Sequence, residues 1–248
     1  LFTEARSIIC LGWPVPLRNS SDQIKTANEA WVAGYVGQND YHVFLPEKMA
    51  QLVVFIQSCM EEEVKARYFT DSAPILEREL AVRAGLGWIG KNSCLISPEY
   101  GSSILLSEVF ISLPLSCDEP FLADRCGSCS RCVDSCPTGC ILPDRTINSA
   151  SCISYLTIEN KSTIPEQLRE KFGNWFFGCD VCQIVCPWNQ KVTGNEKPQN
   201  KSSEELLNLL NMTAQEYTAQ YKETSLSRAK RQGLQRNALV WLGNHPNS

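Results

Sequence analysis

Two runs of closely spaced cysteines are the residues of this chain best suited to chemistry. Nine of the 13 cysteines lie between Cys126 and Cys186 in a chain of 248 residues. The first run, Cys126 to Cys136, has the spacing C-x2-C-x2-C-x3-C and is followed by Pro137. Three thiolates of such a run hold one [4Fe–4S] cluster, and the fourth ligates a second cluster. The run therefore predicts two iron–sulfur clusters that transfer low-potential electrons.

The second run, Cys179 to Cys186, contributes two closely spaced cysteines and a third that precedes Pro187. It is one cysteine short, and Cys152 is the nearest candidate to complete it, with Cys140 as the alternative. The first cluster is then predicted to bind Cys126, Cys129, Cys132 and Cys186, and the second Cys136, Cys152, Cys179 and Cys182. A pair of structural zinc sites is the alternative interpretation, since C-x2-C pairs are common in such sites.

The composition favours metal ligation in a reducing compartment over a disulfide scaffold, because the cysteines are crowded into one part of a long chain. The five cysteines outside the predicted ligand set are interpreted as small buried hydrophobic residues. They are Cys10, Cys59, Cys94, Cys117 and Cys140. A net charge of −4 and a pI near 5.4 argue against nucleic-acid binding by the whole surface. No apolar run approaches the roughly 20 residues that a bilayer requires, and no signal peptide is recognisable.

The elements that must position these cysteines follow from hydrophobic spacing. Residues 5–12 and 103–113 are predicted as strands, as is the short piece 93–96. Helical spacing predicts a helix over 43–67 and another over 75–84 that ends at Gly85. This mixture predicts an α+β domain over residues 1–116. A cysteine-dense segment of 117–190 follows, then a polar linker over 193–203 and helices over 203–210, 214–221 and 227–242.

A basic island between Lys222 and Arg236 is the expected place for contacts to phosphate. Five basic residues stand there against one acidic residue, Glu223. They are Lys222, Arg228, Lys230, Arg231 and Arg236. Such an island predicts local nucleic-acid binding on an otherwise acidic chain. A solvated helix face without a partner is the alternative.

Six segments together resemble epoxyqueuosine reductases, in the same order and over nearly the whole chain. They are Asp71–Ala81 (DSAPILERELA), Ala84–Asn92 (AGLGWIGKN), the first cysteine run up to Gly139, Cys152–Glu159 (CISYLTIE), Gly178–Gln183 (GCDVCQ) and Arg236–Asn244 (RNALVWLGN). The family's N-terminal segment does not precede Leu1, so the first domain is expected to be incomplete.

The resemblance implies a cobalamin-dependent oxidoreductase related to reductive dehalogenases. Such enzymes remove the epoxide oxygen from epoxyqueuosine at the wobble position of certain tRNAs and yield queuosine. The implied architecture is a cobalamin-binding α+β domain (1–116), a ferredoxin-like domain with two [4Fe–4S] clusters (117–190), and a linker with a C-terminal helical tRNA-binding region (191–248). The expected partners are tRNA carrying epoxyqueuosine and an external low-potential electron donor. A cytoplasmic monomer without membrane contact is expected.

The resemblance also implies a role for Asp71, and two further residues of the first domain are candidates for the same site. Asp71 matches the family's proton donor and is expected to lie buried beside the corrin, protonated near neutral pH; a helix cap is the alternative. His42 is expected to contact substrate or corrin, with a core or solvated histidine as the alternative. Arg78 is expected to bind a phosphate or the cobalamin periphery, with a surface ion pair as the alternative.

Three further residues are expected to contact the cofactor. Lys91 and Asn92 are predicted to form hydrogen bonds with the corrin's amide side chains, and Asp180 to face the cofactor. The cluster bearing Cys179 and Cys182 is expected beside the corrin, with the other cluster nearer solvent. Two other functions compete with this interpretation: a dehalogenase-like reductase of small molecules, and a ferredoxin-type electron carrier without chemistry of its own.

Overall fold

The computed structural model describes residues 2–17, 28–37, 39–190 and 199–246, which form short helices and three small sheets. The α-helices are α1 (Tyr41–Ser58), α2 (Glu77–Arg83), α3 (Arg131–Asp134), α4 (Ile153–Ile158), α5 (Glu166–Arg169), α6 (Val181–Ile184), α7 (Ser203–Asn211), α8 (Ala214–Tyr221) and α9 (Lys230–Asn244). The strands are β1 (Ser7–Pro14), β2 (Trp31–Val32), β3 (Ala66–Phe69), β4 (Trp88–Ile89), β5 (Leu95–Ile96), β6 (Ile104–Ile111) and β7 (Trp175–Phe177). The predicted mixture of helix and sheet is confirmed.

An antiparallel sheet with the strand order β1-β6-β3 carries the N-terminal part. Helix α1 covers one face, where Leu45 and Met49 pack against Val109. Helix α2 lies near β1 and β6, and Leu80 lines a pocket there together with Cys10. Successive side chains of a strand point to opposite faces of the sheet. Because successive residues in the second half of β6 are buried, both faces of this strand are covered. This sheet holds the loop between β3 and α2, which carries Asp71.

The predicted helix over 43–67 is too long at its C-terminal end. Helix α1 begins one residue after Asp40, whose side chain caps it by accepting the His42 N–H at 3.0 Å. It ends at Ser58, and the acidic stretch 61–63 follows. Negative charge is unfavourable at a helix C-terminus. The chain therefore turns, and residues 66–69 become β3.

Glu108 is a carboxyl group buried inside the sheet domain. It is 0% exposed and lies opposite Cys10 in the register of β1 and β6. Neither of its carboxylate oxygens has a hydrogen-bond partner among the described residues. Burial, together with the negative charge of Glu77, raises the pKa of Glu108 from 4.5 to about 8. The folded protein therefore favours the protonated form of this side chain.

We expect Glu108→Gln to remove a pH dependence of stability. Between pH 4.5 and about 8 the folded state retains a proton that the unfolded state has lost. The free energy of unfolding therefore falls with rising pH, by up to about 1.4 kcal/mol per unit. Melting temperatures measured from pH 5 to 9 should fall for the wild type and stay level for the variant. The exposed Glu63→Gln is the matched control, and equal slopes in all three proteins would contradict the assignment.

One core joins the three predicted domain ranges. Strands β2 and β7 pair in parallel, and Val32 and Phe177 share a buried cluster with Leu234 and Trp241. The backbone of Lys201 pairs with that of Ala30. Part of the predicted linker, residues 193–198, lies outside the described residues. The boundaries at 116 and 190 remain predictions, and across both of them the segments pack together.

The predicted C-terminal helices are confirmed, with one interruption. Helices α7 and α8 begin with capping boxes formed by Ser202 with Glu205 and by Thr213 with Glu216. The third predicted helix is divided into a 3-10 turn (Ser225–Ala229) and α9. The division falls at Lys230, whose φ of 59° lies in the left-handed region. Among the described residues, no helix is both long and apolar enough to cross a membrane.

Candidate functional site

Four cysteines from both runs surround one pocket. The pocket encloses about 290 Å³ and is lined by Cys126, Cys129, Cys132 and Cys186. The turn at Gly127 has a φ of 50°, which suits glycine, and brings Cys126 and Cys129 to the same wall. Cys186 comes from the second run, 54 positions beyond Cys132. These are the four thiols predicted to hold the first cluster.

A second, narrower pocket collects the other predicted ligands. It encloses about 40 Å³ and is lined by Cys136, Cys140, Cys152, Cys179 and Cys182. The Sγ atoms of Cys136 and Cys140 lie 3.4 Å apart. A hydrogen bond with Cys140 lowers the pKa of the Cys152 thiol. Both Cys152 and its predicted alternative, Cys140, thus line this pocket. Sequence reasoning missed that Cys94 forms a hydrogen bond with Cys182.

The arrangement of the thiols does not match single metal ions. In the described part of the chain, no group of three or more His, Cys, Asp or Glu side chains converges on a point that would hold one ion. A structural zinc site requires four ligands at about 2.0–2.3 Å from the metal. Thiols that surround a cavity instead suit a cluster, whose iron atoms lie apart from one another.

Asp71 lies in the loop between β3 and α2, with a φ of 45°. Its backbone N–H donates to Glu77 Oε1 at 2.6 Å, and its Oδ2 accepts from the Tyr41 hydroxyl at 3.0 Å. Helix α2 begins only at Glu77 and has no side-chain cap, so Asp71 is not a helix cap. The left-handed conformation is uncommon outside glycine and is often found at functional sites.

Asp71 is more exposed than the sequence analysis predicted. Its side chain is 53% exposed, and its Oδ2 lies 3.2 Å from a guanidinium nitrogen of Arg228. The loop places the carboxylate at the rim of a groove, where Arg228 and Tyr41 reach it. The expectation of a buried side chain is therefore corrected.

Arg228 joins Asp71 to Glu159 and His42. It forms an ion pair with Glu159, and its guanidinium lies 2.9 Å from His42 Nε2. Arginine offers no acceptor, so His42 Nε2 accepts this hydrogen bond. The proton of the neutral ring then lies on Nδ1, which donates to Asp40 at 2.9 Å. His42 is thus fixed beside Asp71, with 3.9 Å between Nε2 and Oδ2.

The groove beside Asp71 is the largest cavity at the site, at about 820 Å³. Its polar lining includes Arg78, Arg83, Arg145, Ser93 and Thr146, and its apolar lining includes Ile75, Ile89 and Ile147. Arg78 donates to the Ser93 carbonyl, which keeps its guanidinium in the groove.

The groove adjoins the second cysteine pocket. Ile147 lines both cavities. Ser93 lines the groove, and the next residue, Cys94, is hydrogen-bonded to Cys182. None of the described residues that line the first pocket also lines the groove. The second set of thiols is therefore the one next to Asp71.

Three predicted cofactor contacts lie elsewhere. The Lys91 ammonium donates to the carbonyls of Gly127 and Cys129, each at 2.8 Å. Lys91 and Asn92 thus line the first cysteine pocket, because the β4–β5 hairpin turns them away from the groove. Asp180 is 3% exposed, and its carboxylate accepts the Gly34 N–H at 2.7 Å. It anchors the segment after β2 and does not line the groove.

The predicted basic island is largely committed to internal contacts. Arg231 donates to the Met212 carbonyl at 2.8 Å, and Arg236 donates to the carbonyls of Leu156 and Ser162. Arg228 is paired with two carboxylates at the groove. Lys222 and Lys230 are exposed. Arg231 and Arg236 therefore hold the C-terminal helices in place, and contact of the five side chains with a nucleic acid remains a prediction.

Sequence reasoning missed Tyr41, Glu159 and Arg145 as site residues. Tyr41 precedes His42, and Glu159 ends one of the segments that carried the resemblance, so both stood beside residues already selected. Burial raises the pKa of the Tyr41 hydroxyl, and the Asp71 charge adds to this effect. Tyr41 therefore stays a hydrogen-bond donor to Asp71. Arg145, which pairs with Asp124, carried no sequence signal.

Two family models match the chain. The first, described as a 4Fe-4S double cluster binding domain, matches residues 125–189. The second, described as "Epoxyqueuosine reductase QueG, DUF1730", matches residues 1–72. Together they cover both cysteine runs and the N-terminal segment up to Ser72, which includes Asp71.

Relatives and solved structures agree with these models. An epoxyqueuosine reductase of Cyclobacterium marinum is 41% identical over 242 residues, which are 96% of this chain and 76% of that protein. An epoxyqueuosine reductase bound to an epoxyqueuosine-modified tRNA-Tyr stem loop superposes with a TM-score of 0.82 at 30% identity, over 100% of this chain and 67% of that one. The Bacillus subtilis enzyme, with its catalytic aspartate loop swung out of the active site, gives 0.82 at 31% identity and the same coverage.

The double-cluster domain, joined to a groove that holds an aspartate loop, defines an iron–sulfur oxidoreductase. Within that class, the chain belongs to the epoxyqueuosine reductase family. The resemblance drawn from the six sequence segments is confirmed.

Proposed function

We propose that this chain reduces epoxyqueuosine to queuosine at the wobble position of tRNA. The observation that carries the proposal is the common groove, which Asp71 borders on one side and the second cysteine pocket adjoins through Ile147. Removal of an epoxide oxygen needs both electrons and protons: an epoxide, two electrons and two protons give an alkene and water. The groove places the proposed electron source, the second cluster, next to the proposed proton source, Asp71.

We assign the cluster ligands by pocket. Cys126, Cys129, Cys132 and Cys186 hold the first [4Fe–4S] cluster, and Cys136, Cys152, Cys179 and Cys182 hold the second. The assignment is supported by the shared cavities and by the C-x2-C-x2-C-x3-C-P spacing. Electrons from an external low-potential donor then pass from the first cluster to the second, which adjoins the groove.

The groove residues fit cobalamin, whose corrin is apolar on its faces and bears amides at its edge. Ile75, Ile89 and Ile147 offer apolar contact, while Arg78, Arg145 and Ser93 offer polar contact at the rim. Bound cobalamin would supply a strongly reducing cobalt centre that removes the epoxide oxygen once low-potential electrons reach it. Arg78 would hold either the cofactor edge or a substrate phosphate.

Asp71 supplies the proton that lets the oxygen leave, because an alkoxide is a poor leaving group. Tyr41 orients the carboxyl through the hydrogen bond to Oδ2. In the present arrangement Arg228 forms an ion pair with this side chain. Proton delivery therefore requires the contact between Arg228 and Asp71 to break as substrate enters. A phosphate of the tRNA is the natural competitor for that guanidinium.

We expect the double variant Lys222→Glu/Lys230→Glu to weaken tRNA binding. Both ammonium groups are exposed beside the helices that border the Arg228 contact. If each neutralises one phosphate, the slope of log K against log salt should become less steep by about 2. Binding is measured with tRNA across a salt series, and the double variant Lys48→Glu/Lys65→Glu, which changes two exposed lysines of the N-terminal part, is the charge-matched control. Equal slopes for both proteins and the wild type would remove these lysines from the interface.

Two measurements distinguish this function from the two alternatives, a plain electron carrier and a reductase of small molecules. A plain electron carrier would leave the spectrum of added cobalamin unchanged, whereas a reductase that binds the cofactor would alter it. A reductase of small molecules would not retain tRNA through purification at low salt. We assign the activity to the cytoplasm, because the proposed substrate is tRNA, and the monomeric state remains a prediction.

A further inference from the structure

A buried amide in the wall of the first cysteine pocket has no protein acceptor. Asn92 is 1% exposed and lines this pocket with Cys126, Cys129, Cys132 and Cys186. No acceptor among the described residues reaches its Nδ2. Buried polar groups are nearly always hydrogen-bonded, so an unpaired NH2 needs an explanation. Because Asn92 lines the pocket, the acceptor for its NH2 group is expected inside the pocket.

The orientation of this amide is set by its own hairpin. The backbone N–H of Cys94 donates to Asn92 Oδ1 at 3.3 Å. A backbone N–H only donates, so the amide oxygen faces Cys94 and the NH2 lies on the other side of the group. Gly90 leaves room for this arrangement: a Cβ there would lie 2.8 Å from Asn92 Oδ1 and 2.4 Å from Ile96 Cδ1.

A second donor from the same hairpin already reaches a sulfur of this pocket. Trp88 is 4% exposed, and its indole Nε1 donates to Cys126 Sγ at 3.5 Å. The hairpin therefore presents two buried N–H donors to one set of thiols. The second pocket differs, because apart from its cysteines and Thr138 its lining is apolar.

We propose that Asn92 donates a hydrogen bond from Nδ2 to a sulfur atom of the first cluster and thereby raises the reduction potential of that cluster. The inference rests on the proposed assignment of this cluster to Cys126, Cys129, Cys132 and Cys186. Hydrogen bonds to cluster sulfur atoms stabilise the additional negative charge of the reduced state and so set its potential. A higher potential makes the first cluster easier for the external donor to reduce.

Redox titration of the full chain, followed by electron paramagnetic resonance, tests the proposal. Asn92→Leu removes the donor at similar volume. We expect the ratio of reduced to oxidised first cluster at a fixed potential to fall about tenfold, which equals 59 mV for one electron. The second cluster should keep its potential. Ile96→Val, which trims the same wall without touching a donor, is the packing control and should leave both potentials unchanged.

If Asn92→Leu fails to assemble its clusters, a measurement on the wild-type protein still tests the proposal. Protein containing asparagine labelled with 15N at the side-chain amide should show a nitrogen coupling in pulsed resonance spectra of the reduced first cluster. Assembled clusters without this coupling, and with equal potentials in Asn92→Leu and Ile96→Val, would overturn the inference alone. Protein that contains neither iron nor sulfide at this pocket would overturn the cluster assignment, and the proposed function with it.

Discussion

Replacement of Asp71 with asparagine is expected to lower turnover of epoxyqueuosine by about 10²- to 10⁴-fold, the usual contribution of a positioned proton donor. Asparagine keeps the shape of the side chain and still accepts the Tyr41 hydroxyl hydrogen bond. It cannot supply the acidic proton. The loop also keeps the contact between its backbone N–H and Glu77. The loss should therefore fall on the chemical step and leave the fold intact.

The assay compares rates of queuosine formation under anaerobic conditions, with iron, sulfide and cobalamin content measured on the same samples. Glu63→Gln changes an exposed carboxylate in the turn between α1 and β3 and should retain full activity. Wild-type turnover by Asp71→Asn, with the cofactors bound, would show that another group delivers the proton. A variant that loses its clusters would instead assign Asp71 a structural role.

The variant Cys152→Ala is expected to lose the second cluster, and turnover with it. The second pocket holds five thiols, one more than a cluster needs. The hydrogen bond with Cys140 lowers the pKa of the Cys152 thiol, and a thiolate is the form that binds metal. Iron should fall to about half of its wild-type value. Without the cluster next to the groove, electrons have no relay to the reaction centre.

Cys140→Ala is the matched control, since it removes a thiol from the same pocket. We expect this variant to keep both clusters. The opposite pattern, in which Cys140→Ala loses iron and Cys152→Ala does not, would make Cys140 the ligand. Iron and sulfide analysis of anaerobically purified proteins distinguishes the two outcomes directly.

Local spacing predicted much of this site, because short-range constraints act within each cysteine run. The gaps between Cys126 and Cys136 must place three thiols around one turn, whatever the rest of the chain does. The capped helices α7 and α8 were predictable for the same reason, since Ser202 and Thr213 satisfy backbone N–H groups three residues away. Such features depend on neighbours in sequence.

Contacts between distant segments could not be derived in this way. The parallel pairing of Trp31 with Trp175 joins very short strands with no periodic pattern. Arg231 and Arg236 look like any basic residue in the sequence, and only the fold shows that backbone carbonyls bind them. Lys91 and Asn92 were predicted to contact the cofactor, and the structure places them in the wall of the first cysteine pocket. The direction of the β4–β5 hairpin decides which cavity these two residues line, and the spacing of residues in the sequence does not encode that direction.

Anaerobic incubation of the full chain with epoxyqueuosine-containing tRNA, cobalamin and a low-potential reductant tests the central claim most directly. Nucleosides from the digested tRNA are then identified by mass spectrometry. The account predicts conversion of epoxyqueuosine to queuosine that requires both the protein and cobalamin. Unchanged epoxyqueuosine, with both clusters reduced and cobalamin bound, would contradict it.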